Sequence, residues 1–194
     1  MTGADRQKRP VWPRLAWASA WRLKSTSGSS GPAMMNLRRA NGDTLRAVLG
    51  ARATSLHYVA SPLSRASETM AILRGALDLP TEEFPRDDRL KEMGYGQWEG
   101  MMWPRHAERT PEISWWLEDP WLRATPGGES YAMLWARTVA WLQELPRDTV
   151  VVAHGGIMRV LRGHYLCLPP KETVRLDVPQ DKVLVLKDAK EEWL

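Results

Sequence analysis

The run Val151-Val152-Ala153-His154-Gly155-Gly156 constrains this chain more than any other stretch. Its apolar half predicts a buried strand, and the glycines predict a turn that hands over to a helix. A histidine at that junction stands at the carboxyl end of a strand, beside a helix start whose N–H groups attract anions. In open α/β sheets, ligands bind along that edge. The pattern therefore predicts an anion site, of the kind that takes phosphate, around His154.

Other segments supply the elements that such a sheet needs. Leu37 to Leu49 reads as a helix closed by Gly50. Leu56 to Ala60 reads as a short strand, and Ser64 to Leu77 as a helix with Ser64 as its cap. Residues 84–128 are rich in Trp, Pro and Gly, with helical pieces expected near 103–109 and 112–117. Glu129 to Leu145 reads as a long helix with Met133, Leu134, Val139, Leu142 and Leu145 on one face. Thr149 to Ala153, Val174 to Val178 and Lys182 to Leu186 read as strands, and Gly156 to Leu166 as a helix. Strands alternating with helices predict a parallel α/β sheet with helices on both faces. The cluster Trp115, Trp116 and Trp121 is expected to pack a long excursion over the core rather than to line a ligand pocket.

The net charge of +4 is unevenly distributed. Residues 1–39 hold eight bases against one acid, Asp5, so the remainder is slightly acidic. The basic character belongs to this amino-terminal stretch, and a nucleic-acid partner is not expected from it. Its tryptophans and prolines also fit poorly with the amphipathic helix of an organelle-targeting segment. No apolar run is long enough to span a bilayer, so no membrane partner is expected. The single cysteine, Cys167, excludes an internal disulfide, fits a reducing compartment such as the cytoplasm, and is expected to be a small buried residue.

Two strand–turn–helix units carry candidate chemistry. The first runs into Ser61-Pro62-Leu63-Ser64-Arg65, with Arg65 in the first turn of its helix; the second runs into His154-Gly155-Gly156. In one parallel sheet, Arg65 and His154 emerge at the same edge. Arginine offers a permanently charged, bidentate clamp and histidine a donor near neutral pH. Gly155 lets the backbone come close to an anion. A general acid is also available in the glycine-punctuated stretch 88–100, where either Glu92 or Glu99 could protonate a leaving oxygen if burial raises its pKa.

Four motifs stand in order: Ser61-Pro62-Leu63-Ser64-Arg65-Ala66-Ser67-Glu68-Thr69; Leu90 to Gly100; Gly127-Gly128-Glu129-Ser130; and Val151 to Gly156. In order and spacing they resemble the histidine phosphatase superfamily, the phosphoglycerate mutase-like group, over residues 37 to about 187. The resemblance implies a three-layer α/β/α fold with a mostly parallel sheet. It implies that Arg65 clamps phosphate, Glu92 donates the proton, His154 is the second pocket histidine, Ser61 shapes the pocket and Gly155 supplies the turn. Glu129 and Ser130 fall in the segment that borders the substrate mouth. No metal or organic cofactor is implied, and the partner is a small phosphorylated metabolite.

One part of the pattern is absent. The family's Arg-His-Gly motif, directly after the first strand, carries the histidine that becomes phosphorylated, yet no histidine precedes His57 here. Arg14-Leu15-Ala16-Trp17 reads as the first strand, which puts Ser19-Ala20-Trp21 where the motif belongs. Ser19-Ala20-Trp21-Arg22 can be encoded TCG GCA TGG CGN, which reads Arg-His-Gly when shifted by one base. Residues 1–36 are therefore expected to be an atypical segment, out of frame from about residue 18, followed by the phosphatase-like domain at 37–194. The expected activity is phosphomonoester hydrolysis, or mutase-type phosphoryl transfer, through a phosphohistidine. The alternative is a catalytically inactive protein that binds a phosphorylated ligand.

Overall fold

The computed structural model describes residues 15–19, 32–100, 111–179 and 181–194. At its heart is β3 (Thr149–Ala153), whose five residues are all buried. An unbroken apolar run of this kind needs cover on both faces, and the structure supplies it. Strand β3 lies between β1 (Leu15–Ser19) and β2 (His57–Ala60), parallel to both. Beyond β1 come β4 (Val183–Lys187) and β5 (Lys190–Trp193), giving the order β2-β3-β1-β4-β5. Strand β4 is antiparallel to β1 and β5 antiparallel to β4, so four of these five strands point the same way. The strand of the basic amino-terminal stretch, β1, is thus interior to the sheet.

The twofold alternation of side chains sorts the core into two layers. Val59, Val151, Ala153, Leu184 and Leu186 face α3 (Pro111–Glu118), α4 (Tyr131–Gln143) and α5 (Gly155–Tyr165). Tyr58, Ala60, Val150, Val152 and Val183 face the other layer, built from α1 (Pro32–Leu49) and α2 (Ser64–Ala76). The result is the expected α/β/α arrangement. Gly50, at φ +51°, ends α1 in the left-handed conformation that glycine adopts most cheaply.

Several local expectations are corrected. Ser64 is the first residue of α2 rather than its cap; Leu63 takes that place without a side-chain hydrogen bond. Helix α4 starts at Tyr131, because Ser130 accepts a hydrogen bond from the Met133 N–H and caps it. Met133 is on its exposed face. Residues 174–178 are not a strand: they follow the short α6 (Pro170–Thr173) in turns. Cys167 is exposed, because the apolar stretch around it straddles the end of α5. There it takes a left-handed conformation, φ +55°, and its N–H closes the turn on the His164 carbonyl. The helical piece expected at 103–109 lies outside the described residues.

Strand β5 is held to the body by charge. Arg162, on α5 and only 6% exposed, makes a two-pronged bond to the Glu191 carboxylate at 2.6 and 2.9 Å. It also donates to the Asp177 carbonyl and lies 5.1 Å from the centre of the Trp193 ring. Replacing Arg162 with methionine keeps the apolar stem but strands the carboxylate. We expect Arg162→Met to cost about 2–3 kcal/mol, below the range for wholly buried pairs because Glu191 keeps some solvent. Urea unfolding of parent and variant measures it.

Candidate active site

The parallel strands β1, β2 and β3 end at one edge. Ser61 extends the β2 ladder by donating its N–H to the Val152 carbonyl at 2.9 Å. That places its hydroxyl beside the residue after β3, and His154 Nε2 lies 2.8 Å from Ser61 Oγ. Both residues are buried. The hydroxyl also accepts the Leu63 N–H at 3.3 Å and can give or take the proton it shares with the ring, so it orients His154 in either tautomer. Across the ladder, Ser19 pairs with Ala153, the residue before His154.

Glu92 approaches the same junction from the loop after the short 3₁₀ turn Asp88–Leu90. Its Oε1 accepts the N–H groups of Met93 at 3.0 Å and of Gly156 at 3.1 Å. The second of these is at the start of α5, so part of the anion attraction of that helix start is spent on the protein's own carboxyl. Gly156 must be glycine for this contact: a Cβ there would stand 2.6 Å from Glu92 Oε1. Burial is the largest influence on Glu92 and pushes its pKa above the ordinary carboxyl value; the two N–H donors and the Arg65 and Arg159 charges pull against it. The Glu92 carboxyl is therefore set up to hold a proton longer than an exposed glutamate does.

A double clamp fixes the backbone that carries Glu92. Arg137, on α4, donates to the carbonyls of Arg89 and Glu92 and pairs with both oxygens of Glu129 at 2.8 Å. Glu129 in turn accepts the Gly94 N–H at 2.8 Å. Burial pushes the Glu129 carboxyl upward, but the Arg137 and Gly94 hydrogen bonds prevail and hold it below its usual range. The loops 94–97 and 125–129 then interlock through Gln97 N–H to the Pro126 carbonyl and Glu129 N–H to the Gly94 carbonyl. Gly96 and Gly128 face each other's backbone in this contact, so neither has room for a side chain. The glycine-rich motifs in these loops position the acid.

Two cations bear on the carboxyl. Arg65 occupies the first turn of α2, where a positive charge opposes the helix dipole unless an anion is nearby. Arg159 stands one helical turn after Gly155, donates to the Leu176 carbonyl at 2.7 Å and bears its charge on Tyr131. Tyr131 and Arg159 also form part of the wall of a cavity of about 350 Å³ under α3. Among the described residues, no three His, Cys, Asp or Glu side chains cluster as metal ligands do.

The structure thus brings together Ser61, His154, Gly155 and Glu92, with Arg65 close enough to influence the Glu92 charge. Glu99 is set apart: it is exposed and accepts the Tyr95 N–H, closing a local turn. Trp116 is in the core, as expected, yet with Trp121 it also lines the cavity. Sequence reasoning missed Arg159 and Arg137. A base four residues after Gly155, on the same helix face, was the signal available for the first and went unused.

Comparison with known proteins agrees with this architecture. The model for the histidine phosphatase superfamily (branch 1) matches residues 16–194, and the chain belongs to that superfamily. It is 34% identical over 119 residues to a bifunctional protein of Mycobacterium tuberculosis, covering 61% of this chain and 30% of that protein. It is 33% identical over 107 residues to phosphoserine phosphatase 1 of Hydrogenobacter thermophilus, covering 52% of this chain and 49% of that one. The matches therefore span half or less of these relatives. In fold it is similar to the alpha-ribazole phosphatase of Shigella flexneri, with TM-score 0.69, 19% identity and coverage of 93% and 94% of the two chains. It is similarly close to mycobacterial glucosyl-3-phosphoglycerate phosphatase in complex with inorganic phosphate, with TM-score 0.69, 24% identity and coverage of 89% and 88%.

The raised pKa of Glu92 has a signature in stability. The native state binds this proton more tightly than the unfolded chain, so stability falls as pH rises from the unfolded toward the folded pKa. Glu92→Gln keeps an oxygen to accept from Met93 and Gly156 but removes the ionisation. We expect the variant to be more stable than the parent at pH 7 to 8, with the gain vanishing as pH falls toward 4. Thermal unfolding across that range checks it; a gain independent of pH contradicts the burial argument.

Proposed function

We propose that the strand edge at His154 holds the phosphoryl group of a small phosphomonoester, as in a phosphatase of this superfamily, and that Glu92 protonates the leaving oxygen. The observation that carries this reading is the placement of a burial-raised carboxyl on the Gly156 N–H, at the junction where Ser61 fixes the ring of His154. Arg65 and His154 would stabilise the charge of the transferring oxygens. Gly155 would supply the turn that keeps the backbone close to the anion.

The intact mechanism needs a nucleophile. A histidine nitrogen attacks phosphorus in line, the bond to the leaving oxygen breaks, and that oxygen takes the Glu92 proton. Water then attacks the phosphohistidine, giving its proton to the Glu92 carboxylate and freeing the histidine. In the ladder, Ser19 is level with Ala153, and in the sequence Ala20 follows the first as His154 follows the second. We propose that the attacking histidine belongs at position 20 and that residues from about 18 to 36 are out of frame, with the phosphatase-like domain resuming at residue 37. The lone cysteine is in keeping with a cytoplasmic setting.

A second reading is favoured by one observation: no histidine precedes His57 in the chain. With that sequence, the protein binds a phosphorylated metabolite without turning it over.

Binding and turnover separate these readings. The chain should bind inorganic phosphate or vanadate, and Arg65→Ala should weaken that binding about tenfold or more, the loss expected for a hydrogen bond to a charged group. Isothermal calorimetry measures it, and a parent chain that binds neither anion overturns the phosphate site. The variant Ser19→Arg/Ala20→His/Trp21→Gly should hydrolyse 4-nitrophenyl phosphate several orders of magnitude faster than the parent. If it binds phosphate but gains no turnover, the binding-protein reading stands instead.

A further inference from the structure

The cavity of about 350 Å³ beneath α3 has a wall chemistry that the phosphoryl site alone does not require. Its lining combines three aromatic residues, Trp116, Trp121 and Tyr131, with three cations, Arg159, Lys171 and Arg175. Two acids also line it, of which Glu118 is paired with a cation while Asp119 keeps its charge against the three cations. Glu118 pairs with Arg123 at 2.6 Å, and Asp119 accepts the Leu122 N–H at 3.2 Å. Lys171 and Arg175 have exposed side chains, and among the described residues neither has an ion-pair partner. The cavity is thus left with a surplus of positive charge around flat apolar surface.

Its position relates it to the phosphoryl site. Arg159 reaches toward Gly155, where a Cβ would stand 3.6 Å from its Nη1, and its charge is felt by Glu92. The same residue lines the cavity together with Tyr131. A molecule with its phosphoryl group at His154 and its leaving oxygen at Glu92 therefore has its remaining body directed toward this aromatic and cationic wall. The volume is at the small end for ligand pockets and suits a single ring.

Resting on the phosphomonoester reading above, we infer that the cavity is the leaving-group subsite, and that it selects a phosphomonoester whose alcohol carries a flat apolar body and a second anionic group such as a carboxylate. The aromatic side chains take the flat body, and Lys171 and Arg175, with Arg159 behind them, take the second charge. Selection by charge is directional here: an uncharged alcohol of the same shape leaves the cations solvated and gains nothing from them.

The test compares phenyl phosphate with 3- and 4-carboxyphenyl phosphate by isothermal calorimetry at fixed ionic strength on the full chain. The better carboxylated isomer should bind about fivefold or more tightly than phenyl phosphate. In Lys171→Gln/Arg175→Gln the ratio should fall to about one. It should persist in Arg52→Gln, which removes a charge at the opposite edge of the sheet, where Arg52 pairs with Asp148. Equal affinities in the parent, or a ratio that survives in the double variant, overturn the inference. Should none of the three phosphates bind, the phosphate reading has failed, and 4-hydroxybenzoate then tests the subsite on its own by NMR titration. Binding lost in the double variant supports the cavity as an anion-selective pocket; no binding to the parent overturns it.

Discussion

Everything in this molecule depends on a strand that has no exposed side. With all of β3 buried, one helical layer cannot suffice, so α1 and α2 cover one face and α3 to α5 the other. Helices on both faces impose crossover connections, which bring parallel strands to a common edge. His154 and Ser61 are neighbours because their strands finish together there, although 93 residues separate them in the chain. The meeting of catalytic-type side chains is thus a by-product of hiding three valines and an alanine from water.

The acid is placed by a different principle. Glu92 comes from a loop with little regular structure, and loops hold position only when their polar backbone is answered. Arg137 and Glu129 answer it from both sides, and two glycines let the adjoining loop close over the contact. The carboxyl is then pinned to the start of α5 by the Gly156 N–H. Rigidity at this point comes from hydrogen bonds and the absence of side chains, where the rest of the fold relies on apolar packing.

Much of this was legible in the sequence, for identifiable reasons. Strand β3 and its handover to α5 were written in consecutive residues, as were the helix closed by Gly50 and the turn that carries Arg65. Glu92 was separable from Glu99 only by resemblance to a family, since both stand in the same polar stretch and tertiary burial alone distinguishes them. Strand β5 was missed because Lys190-Glu191-Glu192 looks like solvated loop, and its turn uses Asp188 and Ala189 at positive φ where glycine is customary. A charged edge strand is a safeguard against pairing with another sheet, so its lack of apolar pattern is part of its design. Cys167 and Met133 misled because local apolar character says nothing about which way a helix end turns. Arg137 acts across 45 residues or more on the Arg89 and Glu92 carbonyls, and no local pattern records such contacts.

The tension around Glu92 has one more consequence. Burial favours its acid form and prevails, while the Met93 and Gly156 N–H donors and then the nearby guanidinium charges favour the carboxylate. A doubly negative guest beside those same guanidinium groups would cancel their influence and leave only the two N–H donors to oppose burial. The molecule would then draw a proton from solvent as the guest arrived, with no separate event to load it. Recognition and the arming of the acid would be one thermodynamic step.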